Sequence, residues 1–250
     1  MTLSEFRIEF DILYNNITSN LSPGLNDYEI SVFLTKAQEQ IVKNYFNIKS
    51  NPKQEGLNNS VKRDSDFSTL FKTVSLNNGI VKDPNPTNIL NKNINRFTFN
   101  NDYLFIINEI CEIEKVNNLG EILNTLTTVV VPLHYLEFSR LMTGPYNEPY
   151  LYQSWRLISD ETLPNTSTFD IIIRYGWEIK NYIIRYIKKP NPIILDDLDN
   201  GLSIDGKTDA SECELNSILH SEILNRAVEL AKVAFLGEVK DSIALNQRGE

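Results

Sequence analysis

The stretch LNDYEISVFLTKAQEQIVKNYF, Leu25 to Phe46, constrains the fold more than any other part of the chain. Asn26 stands three residues before Glu29, the reciprocal capping pattern that satisfies free amides at a helix start, with Asn replacing the usual Ser or Thr. Leu25 and Ile30 flank the cap as a hydrophobic staple. Ile30, Phe33, Leu34, Ala37, Ile41, Val42 and Tyr45 follow at helical spacing and mark one apolar face. Burying each large side chain on that face contributes about 1.5–3 kcal/mol, so the helix must organise a core. The opposite face carries Lys36, Glu39, Gln40 and Lys43, which meet water or a neighbouring molecule.

Helical periodicity recurs at both ends of the chain. Phe6, Phe10, Leu13 and Ile17 form a stripe that Thr2 or Ser4 can cap, and Pro23-Gly24 ends the segment. Near the other end, Leu219, Ile223, Ala227, Leu230, Ala231 and Ala234 form a second stripe, with Asn216 or Ser217 as cap and Gly237 as stop. Residues 47–66 read as a polar loop, and Phe67, Leu70, Phe71 and Val74 predict a short helix after it. From residue 97 the composition changes to β-branched and aromatic runs: RFTF, YLFIINEICEIEK, TLTTVVVPL, SWRLISD, FDIIIRYGW and IKNYIIRYIKKP. Within them, PLHYLEFSRLM predicts a short helix with Pro132 in its first turn, and Gly176 marks a hairpin turn.

This order predicts an α+β fold: a helical bundle of two N-terminal helices plus a long C-terminal helix, with an inserted antiparallel β-rich region. The expected domains are a helical one over 1–76 and 214–250 and an inserted β-rich one over 97–195. Residues 77–96, with Pro84 and Pro86, and 196–213 are expected to be irregular connectors.

Charge narrows the function. Residues 1–100 carry 11 Lys+Arg against 10 Asp+Glu, so the formal net charge of -9 comes from the later part of the chain. A protein that grips a nucleic-acid backbone needs a basic face, and this balance argues against one. The strand RYGWEIKNYIIRYIKKP could stack bases on Tyr182 and Tyr186, but it reads better as a half-buried strand with a charged outer edge. No apolar run approaches the roughly 18 residues of a membrane span, and MTLSEFRIEF is too charged for a signal peptide. The expectation is a soluble chain made in the cytoplasm.

Chemistry-bearing motifs are scarce. His134 and His220 lie in no metal-binding spacing, and Cys111 and Cys213 read as free thiols of a reducing compartment. The acidic run Asp196, Asp197, Asp199 and Asp205 fails as a calcium loop, because Leu198 and Lys207 occupy ligand positions. No phosphate-binding or nucleophile-elbow motif occurs. The sequence therefore predicts no catalytic residue, no cofactor and no metal.

Four segments carry a resemblance: the capped helix LNDYEISVFLTKAQEQIVKNYF, PYNEPYLYQSWRL, YIKKPNPIIL and LHSEILNRAVELAKVAFLG. They resemble virion structural proteins of the crAss-like tailed bacteriophages over nearly the whole chain, and the layout is similar to adaptors of short-tailed phages. The resemblance implies a head-to-tail connector: a homo-oligomeric ring, a dodecamer, docked on the portal, contacting further tail ring or tail-barrel proteins and passing DNA through its lumen without binding it specifically. It implies location in the virion neck or tail and in host cytoplasm during assembly, with no membrane contact. Lys36, Glu39, Gln40 and Lys43 are then candidate subunit-interface residues. Lys240, Asp241, Gln247 and Arg248, in the polar C-terminal tail, are candidates for portal docking. A competing reading from another class is a carbohydrate-binding or carbohydrate-processing tail protein using exposed Trp155 and Trp177.

Overall fold

A computed structural model describes residues 1–15, 24–46, 65–77, 80–82, 94–100, 102–117, 119–142, 148–158, 166–199 and 201–236. In chain order the elements are α1 (Leu3–Asn15), α2 (Asp27–Phe46), β1 (Phe71–Asn77), β2 (Ile80–Lys82), β3 (Ile94–Asn100), β4 (Tyr103–Val116) and β5 (Ile122–Pro132). There follow α3 (Tyr135–Met142), β6 (Gln153–Ile158), β7 (Thr166–Ile172), β8 (Glu178–Lys188) and α4 (His220–Leu236). The chain divides into two compact units, Met1–Leu70 with Pro190–Glu250, and Phe71–Lys189.

In the first unit, α2 starts on the box read from sequence: the Glu29 amide donates to Asn26 Oδ1 at 2.8 Å and the Asn26 amide to Glu29 Oε2 at 3.0 Å. A second box opens α1, where Thr2 and Glu5 exchange the equivalent bonds at 2.8 and 3.3 Å. The buried residues of α1 are Phe6, Phe10 and Tyr14, so Tyr14 takes the place expected for Leu13; Ile17 lies outside the described residues. On α2, Ile30, Leu34, Ala37, Ile41 and Val42 are buried as the stripe predicts, while Phe33 is half-buried. On α4 the buried apolar residues among those described are Ile223, Leu224, Ala227, Val228 and Ala231, and Ala234 is exposed. Asn216 caps a 3-10 turn, Ser217–Leu219, ahead of this helix.

The second unit is a single eight-stranded sheet in the order β1-β8-β4-β5-β6-β7-β3-β2. It curls, because residues far apart in that order meet across a shared core. Phe97 on β3 lies 5.1 Å, ring to ring, from Tyr182 on β8, and Phe99 meets Tyr186 edge-on at 4.9 Å. Cys111, Ile113, Val130, Phe169, Ile171, Trp177 and Ile184 fill the same core. A smaller cluster of Trp155, Leu157 and Ile172 is covered by Leu133 and by Phe138 and Leu141 of α3.

These facts correct the expected fold class. The molecule is not an α+β helical bundle with a long C-terminal helix: the curled sheet dominates and the helices are short. α4 has 17 residues against 20 for α2. The physical reason lies on α2, where one flank is covered by an extended chain segment rather than by another helix, as described below. Three local readings also change. Phe71–Leu76, read as helix, is strand β1, because alternate residues Val74 and Leu76 turn into the sheet core. Residues 77–96, read as irregular, contain β2 and the start of β3. Gly176 does adopt a positive φ of 80°, yet the turn does not close a hairpin: β7 pairs with β6 and β3, whereas β8 pairs with β1 and β4.

The sheet is not wholly antiparallel either. β5 and β6 run parallel from Val129–Gln153 to Pro132–Arg156, and a crossover containing α3 joins them, as parallel neighbours require. Pro132 is therefore the last residue of a strand rather than the first turn of a helix. The helix begins after His134, whose carbonyl accepts the Phe138 amide at 2.9 Å.

Candidate functional site

Polar side chains with buried partners identify where this chain has invested specific geometry, and the two units each contain one such system. In the first, Ser31, Thr35 and Gln38 lie at helical spacing along α2 and are all buried. Their partner is the extended segment following Pro190. The Leu195 amide donates to Ser31 Oγ at 3.0 Å. The Ile193 amide donates to Thr35 Oγ1 at 3.1 Å, and Thr35 Oγ1 donates to the Ile193 carbonyl at 3.3 Å. Gln38 Nε2 donates to the Asn191 carbonyl at 2.7 Å, and its Oε1 accepts from the Cys213 thiol at 3.2 Å.

The geometry is a match of two periods. Residues three or four apart on a helix lie about 5–6 Å apart, and alternate residues of an extended chain about 6.6 Å apart. Ser31, Thr35 and Gln38 can therefore act as the missing neighbour strand for residues 195, 193 and 191. The other side of the segment pairs with Ser211, whose amide and carbonyl each bond Ile194 at 3.0 Å. Pro190 and Pro192 fit this arrangement, since neither needs to donate an amide. The connector 196–213 is likewise more ordered than expected: Asp205 and Gly206, with φ of 52° and 76°, form a tight turn bridging Ile204 and Lys207.

In the second unit, Glu109 on β4 is buried and accepts from Arg156 Nη1 at 3.0 Å and from the Tyr182 hydroxyl. The Arg156 guanidinium also sits 4.8 Å from the Phe169 ring centre, a cation–π contact. Burial pushes the Glu109 carboxyl above its ordinary range, opposed by the charge of Arg156 and by both hydrogen bonds. Burial and the neighbouring Glu109 push the Tyr182 phenol and the Cys111 thiol upward as well. A raised carboxylate is what general acid catalysis uses. Here, however, the group is locked among its own partners inside the sheet core. A second pair, Arg96 and Asp170, forms a two-pronged ion pair at 2.7 and 2.9 Å across β3 and β7.

An open cavity of about 440 Å³ lies beside the start of α1, lined by Thr2, Leu3, Ser4, Arg7, Leu195, Asp196 and Glu212. Its lining holds hydroxyls and carboxylates but no histidine, cysteine or lysine, and Arg7 is engaged by Asp27 at 3.0 Å. Among the described residues, no group of three His, Cys, Asp or Glu side chains is placed to hold a metal ion, and no helix is long and apolar enough to cross a membrane.

The residues singled out from sequence fall in different places. Lys36 and Lys43 are exposed, and Lys43 pairs with Glu39 at 3.3 Å along the helix. Gln40 instead turns inward and accepts from Arg226 Nε of α4 at 2.9 Å, so it joins helices within the unit. Lys240, Asp241, Gln247 and Arg248 lie outside the described residues. His134 is exposed, and His220 is buried with Nε2 donating to the Leu215 carbonyl at 3.0 Å, which leaves Nδ1 as acceptor; the Met1 nitrogen lies 2.7 Å from it. Burial lowers the His220 pKa. Burial also raises the Cys213 thiol to about 11.

Trp155 and Trp177 are both buried, which removes the exposed aromatic platform that a carbohydrate-binding reading requires. Tyr182 and Tyr186 are buried too, so neither can stack a base. The Ser31–Thr35–Gln38 row went unread in the sequence, although its own helical spacing was visible there.

Comparison with known proteins bears on what these features serve. A family model described as phage tail ring protein 3/4 matches residues 1–240. A ring protein 4/5 of Bacteroides phage crAss001 is 44% identical over 253 aligned positions, covering 100% of both chains. A ring protein 3 of the same phage is 33% identical over 236 positions, covering 94% of this chain and 96% of the relative.

Proposed function

We infer the function from one premise: the chain belongs to the phage tail ring protein 3/4 family. It is a structural ring protein of a crAss-like phage tail and hence a virion component. From that premise we propose that it is a head-to-tail adaptor, twelve copies of which close into a ring below the portal and form part of the channel for DNA. The observation that carries this reading is end-to-end similarity to two ring proteins of one phage, which fits several stacked rings built on one plan.

The role requires rigidity and surfaces rather than turnover, and we assign it no catalytic step. Rigidity has a visible source in the two capping boxes, the polar row of α2 and the cross-strand ion pairs. Lateral contact in a cyclic ring is heterologous, so two different surfaces of each copy must complement each other. Lys36 and Lys43 on the outer side of α2 and Lys240, Asp241, Gln247 and Arg248 in the tail are offered as contacts to neighbours and to the portal. The net charge of -9 suits a channel wall that lets DNA pass without adhering. Assembly would take place in host cytoplasm before genome ejection.

Negative-stain microscopy of the full chain mixed with its portal protein tests the proposal. The expected image is a ring seated on the portal. A chain that never decorates portals or virion necks overturns it. Deleting residues 238–250 should leave the fold intact and weaken docking; unchanged docking removes the tail from the proposal.

A further inference from the structure

The ring reading leaves open which surfaces join neighbouring copies, and the sheet of the second unit holds strand edges that have no partner among the described residues. β5 begins at Ile122, but its neighbour β6 pairs with it only from Val129. Seven residues, Ile122–Thr128, therefore have no hydrogen-bonded strand on that side among the described residues. The direction of the free groups follows from Val129, whose amide points toward β6 and donates to the Tyr152 carbonyl at 3.0 Å. Because backbone groups alternate along a strand, Thr127 and Thr125 present their amides and carbonyls on the same open side. Both side chains are exposed.

Folded proteins usually blunt such an edge with proline, lysine, a bulge or a covering loop. The run ILNTLTT contains neither proline nor charge; its one irregularity is at Leu123, where the register with β4 shifts between Lys115–Asn124 and Val116–Ile122, and Asn124–Thr128 form the regular part of the edge. At one end of the same sheet, β1 pairs only with β8 among the described residues and offers another free edge, of seven residues. The surroundings of the two edges differ in sign. Glu112, Glu114 and Glu121 stand on the β5 side with one exposed lysine, Lys115, and Glu114 is held by Lys180 at 2.6 Å, so the acidic excess there is small; Lys72 and Arg185 are exposed on the β1 side.

We propose that the free edge of β5 in one copy receives the β1 edge of the next copy, joining the sheets into one that continues from subunit to subunit. The occupant is a second copy of this chain because the two edges are similar in length, oppose in charge and lie on different parts of one molecule, as head-to-tail closure demands. The inference rests on the ring reading and names the lateral surface that reading lacks.

Cross-linking and strand blocking test it on the full chain. A Thr125→Cys copy mixed with a Thr73→Cys copy, both exposed positions, should give covalent dimers with a short bis-maleimide, and neither variant alone should. Background is low because Cys111 is fully buried and burial holds the Cys213 thiol at about 11. Thr125→Pro removes an outward amide without touching the β4 ladder, and Thr125→Lys places a charge on the edge. Both should keep the wild-type circular dichroism and lose ring assembly by mass photometry and microscopy. Rings that persist in both variants, or dimers that form in the single-variant samples, overturn this interface while leaving the ring reading standing. A wild type that forms no ring, alone or on its portal, overturns the ring reading and this inference together.

Discussion

Thr35→Val isolates the contribution of the polar row on α2. Thr35 is 6% exposed and Ile193 fully buried, and the hydroxyl serves both the amide and the carbonyl of Ile193, at 3.1 and 3.3 Å. Valine preserves the shape and leaves no cavity, so the loss is polar. Each buried backbone group left unsatisfied costs about 1–3 kcal/mol, and the length of these two bonds argues for the lower part of that range. The sum is about 2–4 kcal/mol, or roughly 4–16 °C in Tm for a chain of this size. Urea unfolding followed by circular dichroism measures it, and hydrogen exchange at the Ile193 amide should accelerate in parallel. Thr35→Ser keeps the hydroxyl, loses one methyl and should cost about 1 kcal/mol. A Thr35→Val protein within about 0.5 kcal/mol of wild type, with Ile193 exchange unchanged, would refute the view that α2 substitutes for a strand.

Three further outcomes are expected. Asn26→Ala should cost about 1 kcal/mol by removing the α2 cap, and Asn26→Asp should retain most of it, as urea unfolding would report. Glu109→Ala should cost about 3–5 kcal/mol, because Arg156, only 12% exposed in its side chain, keeps a buried charge without its carboxylate; adding Arg156→Met should recover part of that loss by the same measurement. His220 should make stability fall as pH drops through the ordinary histidine range. Its folded pKa is lowered by burial, so the unfolded chain binds the proton first, and stability present above about pH 6.5 is lost below it. His220→Gln should flatten that part of the difference between unfolding at pH 7 and pH 5.

Similarity to two ring proteins bears out the resemblance to crAss-like virion proteins at the level of the ring family, while the bundle architecture inferred beside it failed. The failure is instructive because its source is specific. Val74 and Leu76 carry a strand pattern that Phe67, Leu70 and Phe71 masked, since a short apolar run satisfies both periods. The Trp residues, read as exposed, were placed by the sheet into its two apolar clusters.

Interactions that close within one turn were legible in the amino-acid order itself. The pairing of Asn26 with Glu29 spans three residues, and Gly176 needs only its own backbone to adopt a positive φ, so both could be read without a fold. Tertiary structure alone decided that the Gly176 turn sends β7 and β8 to different neighbours. It alone matched Thr35 to Ile193, 158 residues away. The physical reason is that a local bond has one available partner, whereas a strand edge or a buried hydroxyl has many. Among these, the choice goes to the arrangement that buries the apolar faces while pairing nearly all of the buried polar groups.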